Sequence, residues 1–459
     1  MPVHPYIPNS NPATKARMLK ELGVRDIEEL YQDIPEPLRF RGALDLPAAF
    51  PSEGALRRHM EELLAKNSHC GETLSFLGAG CYQHYVPAIC DEINGRSEFL
   101  TAYSGLPYED HGRWQATWEY TSMMGELLNM DVVNVPTYDG CQAAATAIRM
   151  ASRITGRKRA LVAGNTHPDK ISHIRCYCRS DISIEIVPFG ERSGRIDCAV
   201  LDGLLSSEIA AVYFDNPSFF GVIESGKAIA DLAHRRGALC VTGVDPSSLG
   251  VLAPPADYGA DIVCGDLQPL GIHMQFGGGH GGFIATHDDE RFVQELPSRL
   301  YGIAPTRVEG EYGFGEVAFE RTSLAQREKG KEFVGTAAAV WGITAGVYLA
   351  LMGPTGMKEL GEGILYRSRY AARQLSTIPG VRAPRFDAPF FKEFVVEFQA
   401  DGKPVAEIND ALLKRGIFGG KALDREFPAL GNSALYCFTE LHTKEDIDRL
   451  VTALGEVLE

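Results

Sequence analysis

The most constraining feature of this sequence is a series of short apolar runs that alternate with helical segments through its middle part. The runs are rich in β-branched residues, and the segments between them carry apolar residues at helical spacing. This alternation predicts an α/β fold with a mostly parallel sheet covered by helices on both faces. The runs are Arg159–Ala163, Ile182–Pro188, Ile209–Phe214, Leu239–Val244 and Asp261–Cys264.

The pattern continues on both sides of these runs. Upstream we predict a helix over Met123–Met130, a strand over Asp131–Val135 and a helix over Cys141–Ile154. Downstream, a helix over Thr336–Met352 leads to a small α+β part. Its predicted strands are Phe394–Phe398 and Ala434–Phe438, and its predicted helices are Pro404–Arg415 and Lys444–Leu458.

These elements suggest three divisions of the chain. Residues 1–60 form an N-terminal arm, 61–330 a large α/β domain, and 331–459 a linker helix with a small C-terminal domain. The arm combines a helical run, Ala13–Leu22, with a proline-rich stretch. Such a segment buries little of itself, so it is expected to lie on the main domain or on a partner.

Charge and cysteine usage exclude several classes of function. The 45 basic and 60 acidic residues give a net charge of −15 without a compact basic run, which argues against a nucleic-acid or membrane partner. Ten scattered cysteines without a C-x-x-C pair predict reduced thiols, a cytoplasmic protein and no metal site. The longest apolar stretch, near Thr336–Leu351, is shorter than the roughly 20 residues that a bilayer span needs.

Three loops that follow predicted strands are candidates for ligand binding, because open parallel sheets bind ligands at the carboxyl ends of their strands. Tyr138-Asp-Gly opens a helix whose first amides could hold a phosphate, although simple helix capping explains it as well. His167 follows another strand and could stack on a flat cofactor or only begin the next helix.

Asp245 is the third candidate, at the end of the run Leu239–Val244. A carboxylate there needs a partner, because burying an unpaired charge is unfavourable. The partner could be the protonated pyridine nitrogen of pyridoxal phosphate (PLP), or backbone amides of a turn. Further on, the segment Phe276–Phe283 is too glycine-rich for an ordinary strand and suggests a close approach to a ligand or another chain, or a flexible loop.

Longer motifs resemble one family throughout the chain. They resemble subunit 1 of the two-subunit glycine dehydrogenase (decarboxylating), the P-protein of the glycine cleavage system. The motifs include Phe76-Leu-Gly-Ala-Gly-Cys-Tyr-Gln-His-Tyr-Val-Pro, Met130-Asp-Val-Val-Asn-Val, Ser218-Phe-Phe-Gly-Val-Ile-Glu, Asp245-Pro-Ser-Ser-Leu-Gly, Tyr258-Gly-Ala-Asp-Ile-Val, Tyr348-Leu-Ala-Leu-Met-Gly-Pro and Thr439-Glu-Leu-His-Thr-Lys-Glu.

The resemblance implies a fold-type-I PLP-dependent transferase architecture, similar to aspartate aminotransferase. It also implies an α₂β₂ assembly that decarboxylates glycine and passes the aminomethyl group to the lipoyl arm of the H-protein. The PLP of such an assembly is expected in the partner, a lysine-bearing subunit 2-like chain. In that case Tyr138, Gly140, His167 and Asp245 are vestigial cofactor-binding residues.

The lysine that would form a Schiff base with PLP is absent from its expected place after Asp261–Cys264. Gln268 and Pro269 stand there, and no lysine occurs between Lys227 and Lys329. Lys170 and Lys331 are the nearest alternatives by motif, but neither follows the expected strand. The catalytic residues of this chain are therefore unknown, and its reactive centre is expected to come from the partner.

Two loops depart from the family pattern, at Ser104–Gln115 and at Gly330–Thr336. The departures are explained equally by a paralogue acting on another amino acid and by drift. Seven residues are candidates for substrate or interface contacts. Tyr108, His111, Arg113 and Lys331 lie in these loops, and Tyr82, His84 and Tyr103 lie outside them.

Three hypotheses remain open from sequence. The first is a site-completing subunit of a PLP-dependent decarboxylase that acts on glycine or a related amino acid. The second is a chain that binds PLP non-covalently through Tyr138–Cys141, His167 and Asp245. The third is a stabilising or regulatory partner that never touches substrate.

Overall fold

The computed structural model describes residues 6–7, 11–99, 112–332, 334, 338–399 and 402–459. The chain divides into two compact units, Met1–Ser68 and His69–Glu459. The domain boundaries expected at residues 60 and 330 stay predictions.

The first unit contains two helices, α1 (Pro12–Leu22) and α2 (Glu53–Leu64), and two short 3-10 turns. Helix α1 corresponds to the predicted run Ala13–Leu22. It begins at Asn11, whose side chain accepts a hydrogen bond from the Thr14 amide at 2.8 Å, and it ends at Gly23, which adopts the left-handed conformation at φ 72°. None of the described residues in this unit is buried.

The second unit is built on a seven-stranded sheet with the order β2-β8-β7-β6-β5-β3-β4. Strands β3 to β7 run parallel, and β8 runs antiparallel to both β7 and β2. The strands of this unit are β1 (Leu74–Ser75), β2 (Val132–Val133), β3 (Arg159–Ala163), β4 (Ser183–Val187), β5 (Ile209–Asp215), β6 (Leu239–Val244), β7 (Ile262–Asp266), β8 (Gly282–Thr286), β9 (Tyr301–Pro305), β10 (Tyr312–Glu316), β11 (Val381–Arg382), β12 (Glu393–Phe398), β13 (Ile417–Phe418), β14 (Lys421–Ala422) and β15 (Ser433–Cys437).

Helices cover the large sheet, as the alternating pattern predicted. All residues of β5 are buried, because this central strand has a helix layer on each face. The helices are α3 (Ala88–Asn94), α4 (Gly112–Leu128), α5 (Gly140–Thr155), α6 (Pro168–Cys178), α7 (Cys198–Leu204), α8 (Gly226–Arg235), α9 (Glu290–Val293), α10 (Ala339–Leu375), α11 (Val405–Leu413) and α12 (Lys444–Leu458).

A second, antiparallel sheet has the order β11-β12-β15-β14 and packs with α11 and α12 around its own apolar core. Helix α10 leads to it and is longer than the predicted helix Thr336–Met352; residues 336 and 337 lie outside the described residues. The helix is broken at Gly353, where φ is 59° and ψ −176°. Pro354 follows and starts the second half, a position where its missing amide costs little.

The glycine-rich segment is partly a strand, contrary to the expectation that it forms none. Its last two residues begin β8, which fills the gap between β2 and β7. Gly282 is required there, since a Cβ atom would lie 2.1 Å from the carbonyl oxygen of Asp139. Among the described residues, no helix combines the length and the apolar composition needed to cross a membrane.

Candidate active site at the carboxyl ends of the parallel strands

A cavity of about 390 Å³ lies at the carboxyl ends of β3, β5, β6 and β7. This is the edge of the sheet where the three loops were expected to converge. Its charged lining residues come from the loops and helix starts that follow these strands. The side chains that matter below are Asp139, His167, Lys170, Asp215, Asp245 and Asp266.

Asp245 follows β6 and has both kinds of partner at once. One carboxylate oxygen accepts hydrogen bonds from the Ser247 amide at 3.0 Å and its hydroxyl at 2.7 Å, so the residue caps a turn. The other oxygen lies 2.5 Å from Nζ of Lys392. Burial opposes ionisation of Asp245, but the Lys392 charge and hydrogen bond outweigh it, and the pKa of the carboxyl is lowered.

Lys392 stands directly before β12, and its side chain is almost completely buried. Its ammonium also lies 2.9 Å from Nε2 of His84, whose Nδ1 lies 2.8 Å from a carboxylate oxygen of Glu440. An ammonium can only donate, so His84 accepts at Nε2 and donates from Nδ1 to Glu440. Asp245, Lys392, His84 and Glu440 thus form a continuous chain, here called the Lys392 cluster.

Tyr82 completes the surroundings of this cluster. Its ring centroid lies 4.0 Å from the Lys392 ammonium, and its hydroxyl donates to Glu393 at 3.0 Å. Glu393 also accepts from the Ala79 amide at 2.6 Å. Burial raises the pKa of Glu393 to about 7. Of the candidate residues, Tyr82 and His84 are therefore placed together, in contacts within this chain.

The start of α5 was the candidate phosphate site. Its first amide, from Gly140, donates to Oδ2 of Asp266 at 2.8 Å, and the Gln142 amide donates to Asp139 at 2.7 Å. A side chain at position 140 would be crowded, because a Cβ atom would lie 3.0 Å from that of Asp266. The Tyr138 side chain is exposed. Carboxylates of the chain itself therefore take the amides that a phosphate would use.

Asp266 also forms a hydrogen bond with His280, the histidine of the glycine-rich segment. Its Oδ1 accepts the Gln268 amide at 2.9 Å and contacts Nδ1 of His280 at 3.0 Å. The hydrogen bond to Asp266, followed by one to Cys81, raises the pKa of His280 to about 10. This segment thus approaches another part of the same chain rather than remaining a free loop.

His167 begins α6 and lines the cavity. Its Nδ1 accepts from the Asp169 amide at 3.0 Å, so Nε2 is the donor to the carbonyl of Ala79 at 2.9 Å. Burial, followed by the charge of Lys170, lowers the pKa of this imidazole. The ring meets Phe219 edge-on at 4.8 Å between centroids. The helix-starting role considered for His167 is the one that these contacts fulfil.

Lys170 is the only lysine among the described residues that line the cavity. Its Nζ lies 2.7 Å from Oδ1 of Asp215, which also accepts from the Tyr213 hydroxyl at 2.8 Å. Burial alone would lower the pKa of Lys170, but the charge of Asp215 outweighs it and raises that pKa above its ordinary value. A protonated, paired amine is a poor nucleophile.

Gln268 and Pro269 stand where a His-Lys pair was expected, and the side-chain amide of Gln268 is fully used. Its oxygen accepts from the Tyr82 amide at 2.9 Å, and its nitrogen donates to the carbonyls of Tyr82 at 2.8 Å and Ile272 at 3.0 Å. The residue is 1% exposed, and Pro269 beside it lines the cavity. This position therefore holds the backbone around Tyr82 instead of presenting an amine.

These contacts do not fit PLP as a resident cofactor of this chain. The phosphate would meet the carboxylates of Asp139 and Asp266 at the start of α5, and the charge of Asp245 is already balanced by Lys392. The single lining lysine among the described residues is paired with Asp215. The contacts thus disfavour the hypothesis of non-covalent PLP binding through Tyr138–Cys141, His167 and Asp245.

The other candidates lie elsewhere. Arg113 is buried near the start of α4, and Tyr103, Tyr108 and His111 lie outside the described residues. Lys331 lies 3.8 Å from Glu295, which also pairs with Arg153 in the last turns of α5. That end of α5 is roughly 20 Å from its start at the cavity, at 1.5 Å per residue. The structure does not bring Lys331 to the cavity.

Long-range contacts supplied the residues that sequence reasoning missed. Lys392, Glu393 and Glu440 approach the cavity from the small sheet, far along the chain from Asp245. Asp215 and Asp266 are the last residues of β5 and β7, and His280 lies in the glycine-rich segment. These locations were the one available sign in the sequence that the three residues belong to the site. Their mutual pairing could not be read from the sequence.

The fold is that of the fold-type-I PLP-dependent transferase class, with the cavity at the place where this class binds its ligand, although the contacts there do not fit a resident PLP. Two solved structures share this fold at low identity: a sphingosine-1-phosphate lyase of Burkholderia pseudomallei (TM-score 0.65, 13% identity, covering 92% of this chain and 94% of that one) and a NifS-like protein of Rickettsia africae (TM-score 0.62, 12%, covering 84% and 99%). Both likenesses concern the fold alone.

The family is shown by closer relatives. The family model "Glycine cleavage system P-protein" matches residues 4–454. Probable glycine dehydrogenase (decarboxylating) subunit 1 of Staphylothermus marinus is 38% identical, covering 100% of this chain and 99% of its own; that of Geobacillus kaustophilus is 39% identical, covering 99% of each. The crystal structure of an inhibitor-bound glycine decarboxylase (P-protein) matches with a TM-score of 0.85 and 35% identity, covering 100% of both chains.

The chain belongs to the glycine cleavage system P-protein family, and its similarity is to subunit 1. The expected family and fold class are confirmed.

Proposed function

We propose that this chain is the subunit of a glycine decarboxylase that contributes no Schiff-base lysine, and that a subunit 2-like partner holds the PLP. The observation that carries the proposal is that Gln268 and Pro269 replace the expected His-Lys pair, with Gln268 hydrogen-bonded to the backbone of Tyr82 and Ile272. Among the described residues that line the cavity, the single lysine, Lys170, is paired with Asp215, so no free amine is available to form an imine with an aldehyde. Function then requires a second chain that supplies one.

In the complex, the partner's PLP would accept electrons from the amino acid as carbon dioxide leaves. The contribution of this chain is its folded surface and the loops that it presents. Arg113 and Lys331 are proposed as interface residues, as are Tyr103, Tyr108 and His111, which lie outside the described residues. Tyr82 and His84 are proposed as positioning residues, because their polar contacts hold the Lys392 cluster.

The first unit supports a hetero-oligomer. Many of its large apolar side chains are exposed, among them Leu38, Phe40, Leu44 and Leu46. Extended exposed apolar surface typically marks an interaction site. We propose that these side chains are buried against the subunit 2-like partner.

The acceptor of the aminomethyl group and the cellular location of the protein are also proposals. The family name supports glycine as the small amino acid substrate, and the acceptor of the aminomethyl group is proposed to be the lipoyl H-protein that the sequence resemblance implies. A cytoplasmic location fits the ten free cysteines. The paralogue alternative rested on two divergent loops, and neither the structure nor the comparisons favour it.

Co-expression with a subunit 2-like chain tests the proposal. The expected results are a stable complex of the two chains by native mass spectrometry and release of labelled carbon dioxide from carboxyl-labelled glycine only when both are present. Activity of this chain alone would contradict the proposal. Equal activity of the partner alone would favour the rival of a purely stabilising subunit.

A further inference from the structure

Asp245 already has a cation within this chain. Nζ of Lys392 lies 2.5 Å from its carboxylate, in a position that is almost closed to solvent. In PLP enzymes the positive charge that faces such an aspartate is the protonated pyridine nitrogen of the cofactor. We propose that Lys392 is a built-in counter-ion that replaces the cofactor's pyridinium charge at Asp245, so that this site is electrostatically complete without a cofactor.

The backbone of Lys392 is held in an unfavourable conformation to achieve this contact. Its φ is 62°, in the left-handed region that lysine seldom adopts. The neighbouring residue is anchored on both sides, because Glu393 accepts from the Ala79 amide and the Tyr82 hydroxyl. Gly221 permits the close approach, since a Cβ atom there would lie 1.9 Å from the carbonyl oxygen of Glu393.

The Lys392 ammonium group has three partners within the chain. It contacts the carboxylate of Asp245 at 2.5 Å, Nε2 of His84 at 2.9 Å and the ring of Tyr82 at 4.0 Å. His84 in turn donates a hydrogen bond from Nδ1 to Glu440. These partners offset the cost of burying the ammonium, so Lys392 can hold its charge beside Asp245 permanently.

The arrangement joins the two sheets of the second unit. Asp245 follows β6 of the large sheet, while Lys392 precedes β12 and Glu440 follows β15 of the small sheet. Removing one member of a buried ion pair leaves the other charge uncompensated, which is strongly destabilising. The inference concerns the isolated chain, so it stands or falls separately from the proposed function.

Thermal unfolding of the full chain with and without pyridoxine provides the test. Pyridoxine carries a pyridine ring that can be protonated, but it has neither the phosphate nor the aldehyde. We expect no change in the Tm of the unsubstituted chain. Lys392→Ala should lower the Tm by roughly 4–6 °C. Pyridoxine should restore part of that loss, because the substitution opens space beside the unpaired Asp245 carboxylate.

A double variant keeps the test decisive if Lys392→Ala is insoluble. Lys392→Ala combined with Asp245→Asn leaves neither charge of the pair behind, so it should fold, recover most of the Tm and show no response to pyridoxine. Lys358→Ala on α10, whose pair with Glu362 is exposed, is the matched control and should leave the Tm unchanged. A double variant as unstable as Lys392→Ala, no recovery of Lys392→Ala with pyridoxine, or a pyridoxine-dependent rise for the unsubstituted chain would overturn the proposal.

Discussion

The side-chain amide of Gln268 is hydrogen-bonded to both backbone groups of Tyr82: its oxygen accepts from the amide at 2.9 Å, and its nitrogen donates to the carbonyl at 2.8 Å. Gln268 and its neighbour Pro269 stand where the sequence was expected to carry a His-Lys pair. Here Gln268 fixes the segment that forms one wall of the cavity. The segment that lacks the expected lysine thus has a structural role in this chain.

This relationship predicts that Gln268→Lys does not recreate a PLP enzyme. The substitution leaves the Tyr82 amide without its acceptor and introduces a buried charge, so we expect a loss of about 2–4 kcal/mol in the free energy of unfolding. Urea denaturation measures the loss, and visible absorbance after incubation with PLP reports on imine formation. Gln268→Met is the matched control without a charge. A stable yellow Gln268→Lys protein would contradict this prediction.

The buried ion pair of Lys170 and Asp215 should contribute more to the free energy of unfolding than an exposed ion pair does. Both side chains are mostly buried, so Lys170→Met should leave an uncompensated carboxylate and cost on the order of 3 kcal/mol. Lys227→Met removes a similar pair with Asp231 that is largely exposed, and it should cost less than about 1 kcal/mol. Equal losses for the two variants in urea denaturation would argue against a buried, structural Lys170.

Glu393 predicts a pH dependence of stability. Burial raises its pKa to about 7 in the folded chain, against roughly 4.3 when unfolded. Between these values the folded state binds the proton more tightly, so this group's contribution to stability is lost as the pH rises from about 4.3 through 7, on the order of 3 kcal/mol in all.

The corresponding experiment compares unfolding at pH 5 and pH 8. Glu393→Gln keeps the shape but cannot ionise, so we expect it to lose less stability than the unsubstituted chain between these two pH values. Glu359→Gln, on the exposed face of α10, is the control and should follow the unsubstituted chain. An unchanged pH dependence in Glu393→Gln would show that this carboxyl does not titrate in the window.

Substitution of Lys331 distinguishes a subunit that completes the partner's active site from one that only stabilises the complex. If Lys331 contributes to the partner's site, Lys331→Met should lower kcat/KM of the reconstituted complex by at least about tenfold without changing complex formation. Lys329→Met, two residues away and exposed, should have no effect. Full activity of both variants would favour the stabilising role.

The parallel sheet was predictable because its strands are continuous apolar runs. Arg159–Ala163 and Leu239–Val244 match β3 and β6, and the other three parallel strands agree within two residues at each end. Strand β8 was missed because it is short and contains glycine, which weakens the strand signal, and it is held by pairing with β2 and β7. The hairpin of β9 and β10 was missed for the same reason.

The site was predictable only in part. Position 245 could be identified as a carboxylate that needs a partner, because it follows a buried strand. The partner could not, since Lys392 precedes a strand of a different sheet and gives no local signal. Likewise, the sequence at the start of α5 is compatible with phosphate binding, but in the structure its first amide, from Gly140, donates to Asp266. Pairing between distant charges is decided by the fold and not by neighbouring residues.

The most direct test of the central claim is borohydride reduction of the reconstituted complex in the presence of PLP, followed by peptide mapping of both chains. We predict a pyridoxyl-lysine in the subunit 2-like chain and none in this chain, at Lys170 or elsewhere. A stoichiometric pyridoxyl adduct on a lysine of this chain would contradict the account.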